Sequence, residues 1–317
     1  AADDPPEAIS QLRPQLALDQ RSAISEPPPG VVRSACRPGF SLVELLVASA
    51  LSMVVMAAVA SLFSVFGRSV SDGQSLVELN ARMRNTAWRL RQDLVGITCS
   101  PTPLVRVESN GGYLEVIEGA ATTSADPNTL IGDIDDVLAQ TTSSPGAPFA
   151  GRLAGARGFE SPTAEVVWFC EPSGQQHRGQ TLYNLHRRQL LVAGAPDAGG
   201  FTNNVFAAKG DSDLSYTQHA NSLGDLSKRA NRFLTTAGTN RRFTGAREGE
   251  DVILGNVIAF DVRIAEAGPL IDRSFETTEN GDAAAGPLRG IEVRIRCVNP
   301  VTDRVREVKV VHSFGAG

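Results

Sequence analysis

The sequence predicts an α+β protein, in which a long N-terminal helix packs on a head built around an antiparallel β-sheet. Two observations carry this prediction. Residues 40–66 form an apolar block suited to a helix, and the chain beyond residue 104 contains short segments of alternating polarity, as strands do. With 317 residues, of which 42% are hydrophobic and 21% charged, the chain is long and apolar enough to bury a core.

The charge of the chain argues against two classes of protein. Lys and Arg total 30 and Asp and Glu total 35, which gives a formal net charge of -5. That charge is too small, and the apolar content too high, for a wholly disordered chain. The chain also lacks the basic excess with which proteins bind phosphate backbones, so we expect no nucleic-acid partner.

The apolar block of residues 40–66 predicts a membrane span. Residues 45–66 contain no charge, Pro or Gly, and a helix of that length extends for about 33 Å, which exceeds the ~30 Å of a bilayer core. The alternative is a secretory signal peptide, whose apolar region is usually about 7–15 residues long. The side chains expected to face lipid or neighbouring helices include Phe40, Leu45, Leu46, Leu51, Val55, Phe63 and Phe66.

Glu44 is the only ionisable residue of this block. A carboxylate inside lipid costs on the order of 3 kcal/mol near the centre of a helix and less near an end, and such residues tend to be functional. Arg37, Pro38 and Gly39 precede the block, and Pro and Gly interrupt helices. We therefore expect a boundary between Gly39 and Phe40 and a function for Glu44. The alternative is a carboxylate that reaches the membrane interface.

The letters GFSLVELLV, which begin at Gly39, resemble the prepilin processing site of type IV pilins and type II secretion pseudopilins. The shared pattern is Gly, then Phe, then Glu at the fifth position counted from that Phe, then a long apolar run. The resemblance implies that a prepilin peptidase cleaves between Gly39 and Phe40 and N-methylates Phe40. It also implies that Glu44 pairs with the terminal amine of a neighbouring subunit, and low dielectric strengthens such a pair.

The same resemblance makes residues 1–39 a leader peptide that is cleaved. This stretch contains three consecutive prolines from Pro27 and shows no apolar period, so we expect it to be disordered. The resemblance implies a cytoplasmic leader, a single pass through the inner membrane and a periplasmic head that enters a filament after processing. The implied partners are other pilins or pseudopilins, the prepilin peptidase, the inner-membrane assembly platform and the lipid bilayer.

Residues 67–98 are expected to form the periplasmic, amphipathic half of the helix. Pro101 and Pro103 end the helical pattern, and Gly67 and Gly73 are expected weak points. We expect the apolar stripe of this half to pack on a following sheet, and a coiled-coil seam is the alternative. The stripe has spacings of three and four residues and consists of Leu76, Leu79, Met83, Ala87, Leu90, Leu94 and Ile97.

Residues 99–317 predict a β-rich globular head. Alternation is clearest from Ile291 to Cys297, and a hairpin loop over residues 299–303 joins the last two strands. Gly111 and Gly112 are expected to separate the first pair of strands. The predicted strands are 104–108, 113–118, 136–142, 165–171, 181–192, 252–266, 290–298 and 304–314.

A long loop region is expected at 193–251, which is rich in Gly, Asn and Ser. Loops this long are usually functional or mobile. One short helix interrupts the region, because Ser222 and Asp225 fit a capping box. Apolar residues follow the cap at helical spacing, namely Leu223, Leu226, Ala230 and Phe233.

The sequence contains no phosphate-binding loop, no zinc-protease motif and no nucleophile elbow, so we predict a protein that is not an enzyme. Two acidic clusters could hold calcium, but neither fits a twelve-residue loop, and we interpret both as solvated turns. They are Asp133, Asp135 and Asp136, and Asp211 and Asp213. We therefore predict no metal site and no cofactor. The histidines lack the spacing of zinc ligands, and they are His177, His186, His219 and His312.

Cys36 lies in the leader, which leaves Cys99, Cys170 and Cys297 after cleavage. In an oxidising periplasm three cysteines permit one disulfide and one free thiol, and all three pairings are open. Cys170 with Cys297 is a possible disulfide that would join two strands. The alternative is that all three are buried and reduced, as small free thiols often are.

Two classes of function remain. In the first, the protein is a minor pseudopilin of a type II secretion system, which helps initiate or cap a periplasmic pseudopilus, or a minor pilin of a type IV pilus. The size of the head and its paired C-terminal strands resemble the J-type minor pseudopilin and the W-type minor pilin. In the second class, the protein is a membrane-anchored periplasmic binding protein or enzyme whose N-terminus matches the motif by chance.

Overall fold

Helix α1, Leu42–Val95, is the first element of the computed structural model. The structure describes residues 39–120, 130–152, 158–192, 221–232, 250–266, 268–278 and 285–315. The chain forms two units, which divide between Ser61 and Leu62. The helix does not unwind at Gly67 or Gly73, because about 1 kcal/mol for each glycine does not break a helix of 54 residues.

In the first unit, every described residue of α1 is exposed. Among the described residues, α1 is the helix long and apolar enough to cross a membrane, judged by length and composition, with a mean hydropathy of 2.4 over its most apolar 18 residues. None of those 18 residues is buried. The long apolar N-terminal helix predicted from the sequence is confirmed.

In the second unit, α1 buries one face. Met83, Ala87, Leu90 and Leu94 join a single hydrophobic cluster with side chains of the sheet such as Trp168. Leu79 and Ile97 are partly buried against the same cluster. The predicted stripe therefore packs on the sheet, and it does not form a coiled-coil seam within the chain.

The head is built on an antiparallel sheet of eight described strands in the order β10-β9-β7-β6-β5-β2-β1-β8, and β3 pairs separately with β4. The predicted α+β class is thereby confirmed. The strands are β1 Leu114–Ile117, β2 Val137–Ser143, β3 Phe149–Arg152, β4 Gly158–Ser161, β5 Thr163–His177, β6 Gln180–Leu191, β7 Glu250–Ala265, β8 Phe275–Glu276, β9 Gly290–Asn299 and β10 Arg304–Ser313.

The predicted strand at 104–108 is wrong. Val105 forms one isolated bridge, to Thr278, and Val107–Ser109 is a 3-10 turn. The backbone has positive φ at Leu104 (66°) and Asn110 (48°), and a ladder cannot continue through such residues. Gly111 and Gly112 therefore follow a turn and do not separate two strands.

The other predicted strands are present as β1, β2, β5, β6, β7, β9 and β10, and β5 is longer than predicted. The hairpin loop is confirmed, since Asn299 pairs with Arg304. Within that loop the Asn299 side-chain oxygen accepts hydrogen bonds from the N–H groups of Val301 (3.0 Å) and Thr302 (3.2 Å). Strands β3 and β4, of four residues each, and β8, of two residues, were not predicted.

The sheet face opposite α1 carries a second hydrophobic cluster, which includes Tyr113, Phe169 and Leu226. Leu226 belongs to α2, Leu223–Leu226, a single turn whose predicted capping box is confirmed. The Ser222 hydroxyl accepts from the Asp225 N–H (3.1 Å) and the Asp225 carboxylate from the Ser222 N–H (3.1 Å). Phe233, and residues 193–220 and 234–249 of the expected loop region, lie outside the described residues, as does the leader up to residue 38.

Candidate functional site

The predicted processing site lies just before α1. Gly39 and Phe40 are exposed, and the Phe40 side chain is 80% exposed. A Cβ atom placed on Gly39 would meet no atom within 4 Å, so the fold of this chain does not require glycine there. An accessible, non-helical peptide is the form in which a protease binds its substrate. A requirement for glycine at position 39 therefore has to come from the protein that recognises the motif.

Ser41 holds Glu44 in the first turn of α1. The Ser41 hydroxyl accepts the Glu44 N–H (3.2 Å), and the Ser41 carbonyl accepts the Leu45 N–H (3.1 Å). A carboxylate in the first turn also complements the helix dipole. The Ser-x-x-Glu spacing from Ser41 to Glu44 is a capping-box pattern. Within the described residues, the Glu44 carboxylate has no ion-pair partner, so its charge is available to another chain.

The predicted span residues are exposed, from 59% for Val55 to 80% for Phe40. Burying one large apolar side chain stabilises by roughly 1.5–3 kcal/mol, so this surface requires lipid or other helices. The hydroxyls of Ser49 and Ser52 donate to the carbonyls of Leu46 (2.9 Å) and Ala48 (2.8 Å), which satisfies them without water. The remaining predicted span residues, all exposed, are Phe40, Leu45, Leu46, Leu51, Phe63 and Phe66.

Asp93 fastens α1 to the sheet through a buried ion pair that the sequence did not reveal. Arg187 donates to both carboxylate oxygens of Asp93, from Nε and Nη2, each at 2.8 Å. The Trp168 indole N–H donates to Asp93 Oδ2 at 2.8 Å. Asp93 and Arg187 are each 3% exposed. Arg187 and Trp168 are partners in the β5–β6 ladder, so one site on the sheet clamps the helix.

The end of α1 approaches β2 closely. The Gly96 carbonyl accepts the Ser143 N–H (2.7 Å), and the Thr142 hydroxyl donates to the Asp93 carbonyl (2.9 Å). A Cβ atom on Gly96 would lie 2.1 Å from the Ser143 carbonyl oxygen, so glycine is required at this contact.

An acidic cluster forms where β1 ends and where β2 and β8 begin. Glu118, Asp133, Asp136 and Asp272 each offer one carboxylate oxygen, and these four atoms lie within 4.8 Å of one another. Asp136 accepts the N–H groups of Val262 (2.7 Å) and Gly119 (3.3 Å). Asp133 and Asp136 are each 0% exposed.

The predicted solvated turn at Asp133, Asp135 and Asp136 is therefore wrong, because two of the three side chains are buried. Asp135 does not belong to the cluster; its carboxylate accepts the Ala120 N–H (2.9 Å). Glu118 and Asp272 do belong to it, and only the fold brings them there. Asp211 and Asp213 lie outside the described residues.

Burial, with the neighbouring acids, raises the pKa values of Glu118, Asp133 and Asp136. Burial, followed by a hydrogen bond with Asp272, raises the pKa of Glu118 to about 9. Burial and the charge of Asp136 raise the pKa of Asp133 to about 7. Burial raises the pKa of Asp136 to about 6, although its two backbone hydrogen bonds act in the opposite direction. The folded chain therefore holds negative charge here at a cost.

The histidines are in separate environments. His186 lies between two carboxylates, with Nδ1 at 2.6 Å from Glu250 and Nε2 at 3.9 Å from Glu171, and these three residues form a second group with ligand spacing. His177 contacts Asp303 (2.7 Å), and His312 packs edge-on against Phe314. His219 lies outside the described residues.

Cys99, Cys170 and Cys297 are buried, reduced thiols, as the alternative to a disulfide predicted. The possible Cys170–Cys297 disulfide is not formed. Cys170 lies on β5 and Cys297 on β9, with β6 and β7 between them. The two strands are therefore three spacings apart, and at about 4.8 Å for each spacing the two residues are separated by at least roughly 14 Å. A disulfide needs Cα atoms within about 7 Å of each other. Burial raises the pKa of Cys99 to about 11 and that of Cys297 to about 12.

Residues 35–60 match the family model of the prokaryotic N-terminal methylation motif. Its N-terminus is type IV pilin-like. The matched residues include Gly39, Phe40 and Glu44, so the predicted resemblance to pilins and pseudopilins is confirmed. The motif implies processing by a prepilin peptidase and assembly with other pilins, and with the apolar helix it fits a membrane-anchored protein. No curated protein and no solved structure matches the chain.

Proposed function

We propose that this type IV pilin-like protein is a minor pseudopilin of the J type, a non-enzymatic subunit that helps initiate or cap the periplasmic pseudopilus of a type II secretion system. One observation supports the proposal above others: directly after the processing motif, residues 40–66 are exposed on every face of the helix. Such a helix needs lipid before assembly and the helices of other subunits afterwards.

Glu44 selects the register in which a subunit joins the filament. Cleavage between Gly39 and Phe40 creates a new amine, and Glu44 pairs with that amine on a neighbouring subunit. The pair removes one unpaired charge from each partner in a low-dielectric bundle. A subunit in the wrong register leaves its carboxylate unpaired in lipid, at a cost on the order of 3 kcal/mol.

The periplasmic part of α1 provides a second surface for neighbouring subunits. The Asp93 clamp commits one face of the helix to the sheet. Val77, Trp88 and Val95 lie off that face and are 67%, 59% and 62% exposed. Large apolar residues that remain exposed are suited to contacts with other chains.

The location follows from the same mechanism. The protein crosses the inner membrane once, with its leader in the cytoplasm and its head in the periplasm. It moves laterally from the inner-membrane assembly platform into the filament after the prepilin peptidase has acted on it.

Mass spectrometry of the mature N-terminus tests the processing step. We expect the chain to begin at Phe40 and to carry one methyl group there. Gly39→Leu should leave the leader attached. Gly67→Leu is the matched control and should be processed normally, since a side chain at either glycine meets no atom within 4 Å. A wild-type chain that keeps its leader would contradict the proposal and leave a membrane-anchored binding protein or enzyme.

Filament incorporation tests the role of Glu44. Glu44→Gln keeps the length of the side chain and removes its charge, so we expect a folded head and a loss of at least tenfold in incorporation. The control is Glu78→Gln on the same helix, where an exposed pair with Arg82 contributes little. Equal incorporation of Glu44→Gln and wild type would contradict the pairing.

A deletion strain separates the two kinds of filament. The proposal predicts that release of exoproteins falls while surface pili remain. Loss of surface pili with normal secretion would instead identify a W-type minor pilin, acting in pilus assembly, adhesion or DNA uptake.

A further inference from the structure

Asp133 is a buried carboxylate for which the described residues supply no hydrogen-bond partner. Its side chain is 0% exposed, and neither Oδ1 nor Oδ2 has a partner among the described residues. Its backbone is held in place, because its carbonyl accepts the Phe260 N–H at 2.7 Å and the neighbouring Gly132 N–H donates to the Ile258 carbonyl at 2.8 Å. A fixed, buried and unsatisfied carboxylate requires an explanation, and an ion is one of the recognised ones.

The atoms around Asp133 have the spacing of a coordination shell. The four ligand oxygens of Glu118, Asp133, Asp136 and Asp272 lie within 4.8 Å of one another. Calcium binds oxygens at about 2.3–2.6 Å, so two ligands on opposite sides of the ion are about 4.6–5.2 Å apart. All four oxygens therefore fit around a single ion of that size. In the described part of the chain, Glu118 Oε2 is likewise a buried oxygen without a hydrogen-bond partner.

The described surroundings add negative charge to this cluster. The charges that act most strongly on Asp133 all belong to aspartates. Described arginines near these acids pair with other carboxylates: Arg263 with Asp261 (3.0 Å), Arg273 with Glu266, and Arg294 with Glu292. Four carboxylates thus converge on one point while the nearby guanidinium groups bind other acids.

We propose that Glu118, Asp133, Asp136 and Asp272 bind one calcium ion. Carboxylate oxygens suit hard cations, and the set contains neither the sulfur nor the nitrogen ligands that zinc and copper prefer. Calcium takes six to eight oxygens, so water or backbone carbonyls complete the shell. The ion joins the end of β1 to the residues before β2 and to the segment between β7 and β8, and so crosslinks parts of the head that are distant in sequence.

Calcium titration by calorimetry, on the full chain in detergent, tests the site directly. We expect one ion for each chain in wild type and an affinity at least tenfold weaker in Asp133→Asn. Asp251→Asn is the matched control, since that carboxylate is exposed and 3.9 Å from Arg89. Magnesium should bind more weakly, because it demands octahedral geometry at about 2.0–2.1 Å. Absence of binding in wild type, or equal binding by Asp133→Asn, would overturn the proposal.

Thermal unfolding separates an ion site from a merely strained acidic cluster. In EDTA, Asp133→Asn should melt at a higher temperature than wild type, because it removes a buried repulsive charge. In about 10 mM calcium, which exceeds the ~10⁻³ M dissociation constants of weak extracellular sites, wild type should become the more stable protein. A variant that is more stable in both conditions would refute the ion site. If Asp133→Asn does not fold, the shift in melting temperature that calcium causes is compared between wild type and Glu118→Gln, at a half-buried position; a smaller shift in the variant supports the site, and equal shifts would overturn it.

Discussion

Asp93 and Asp133 are both buried in the head, but their surroundings differ. Asp93 receives two hydrogen bonds from Arg187 and one from Trp168, all at 2.8 Å. Asp133 receives none from the described residues, and its neighbours in the cluster are the acids Glu118, Asp136 and Asp272. One site is a closed ion pair between α1 and the sheet, and the other is an open cluster of like charges.

The difference shows that burial alone does not say what a charged residue does. A buried carboxylate with a bidentate arginine and a further donor holds two elements together. A buried carboxylate among other carboxylates stabilises nothing by itself, because both desolvation and repulsion oppose its charge. Asp136 lies between these cases, since it accepts two backbone N–H groups within the acidic cluster. Substitutions at the three aspartates should therefore differ in size and in sign.

The largest effect is expected at the closed site. Asp93→Ala leaves the Arg187 guanidinium buried without its carboxylate, which should lower the free energy of unfolding by about 3–5 kcal/mol. Urea unfolding of the full chain in detergent measures this loss. The double variant with Arg187→Met should lose less than Asp93→Ala alone, because no unpaired charge remains. A loss below about 1 kcal/mol in Asp93→Ala would show that the pair does not fasten the helix.

A smaller loss is expected at Asp136. Asp136→Ala removes the acceptor of the Val262 N–H, and leaving a buried donor unsatisfied costs about 1–3 kcal/mol. Relief of repulsion from Asp133 and Asp272 offsets part of that cost. In EDTA we therefore expect a loss of about 1–2 kcal/mol by urea unfolding. A loss as large as that of Asp93→Ala would remove the distinction between the two sites.

An effect of opposite sign, absent near pH 4 and growing as pH rises, is expected at Asp133. Its pKa is about 7 in the folded chain and about 3.8 in the unfolded chain, so the folded state holds more protons between these values. Wild-type stability in EDTA should thus fall as pH rises from about 4 through 7. Glu118, Asp136 and Asp261, whose pKa values burial also raises, add to this trend.

The difference between Asp133→Asn and wild type isolates the Asp133 contribution. Unfolding in EDTA should show no difference near pH 4 and a growing advantage of the variant toward pH 8. Asp251→Asn should show neither trend. A variant that loses stability as pH rises, relative to wild type, would mean that the Asp133 charge is compensated after all.

Much of the fold was predicted from the sequence because its signals are local. The apolar block, the stripe from Leu76 to Ile97 and the alternation from Ile291 to Cys297 each lie within one element. The capping box at Ser222 spans four residues. The prediction of a strand at 104–108 was wrong, because positive φ at Leu104 ends the extended backbone. Nothing in the sequence around Leu104 indicates that conformation.

The sites divide in the same way. The motif at Gly39, Phe40 and Glu44 is contiguous, so it was found from the sequence, and it lies within the residues that match the family model. Asp93 and Arg187 are 94 residues apart, and no spacing rule connects them. The acidic group read from the sequence contained Asp133 and Asp136, which belong to the cluster, and Asp135, which does not. Side chains that are adjacent in sequence point in different directions where a strand begins, so adjacency alone did not identify the members.

The sequence by itself determined that this chain carries a pilin-type N-terminus, an apolar helix and a β-rich head, since each depends on residues that are close together along the chain. Only the tertiary structure decided which buried charges are compensated. Asp93 obtains its partners from β5 and β6, whereas Asp133 is surrounded by acids from the ends of other strands. Whether a buried charge is stabilised depends on the groups within a few ångströms of it, and those groups are set by how strands far apart in sequence are arranged.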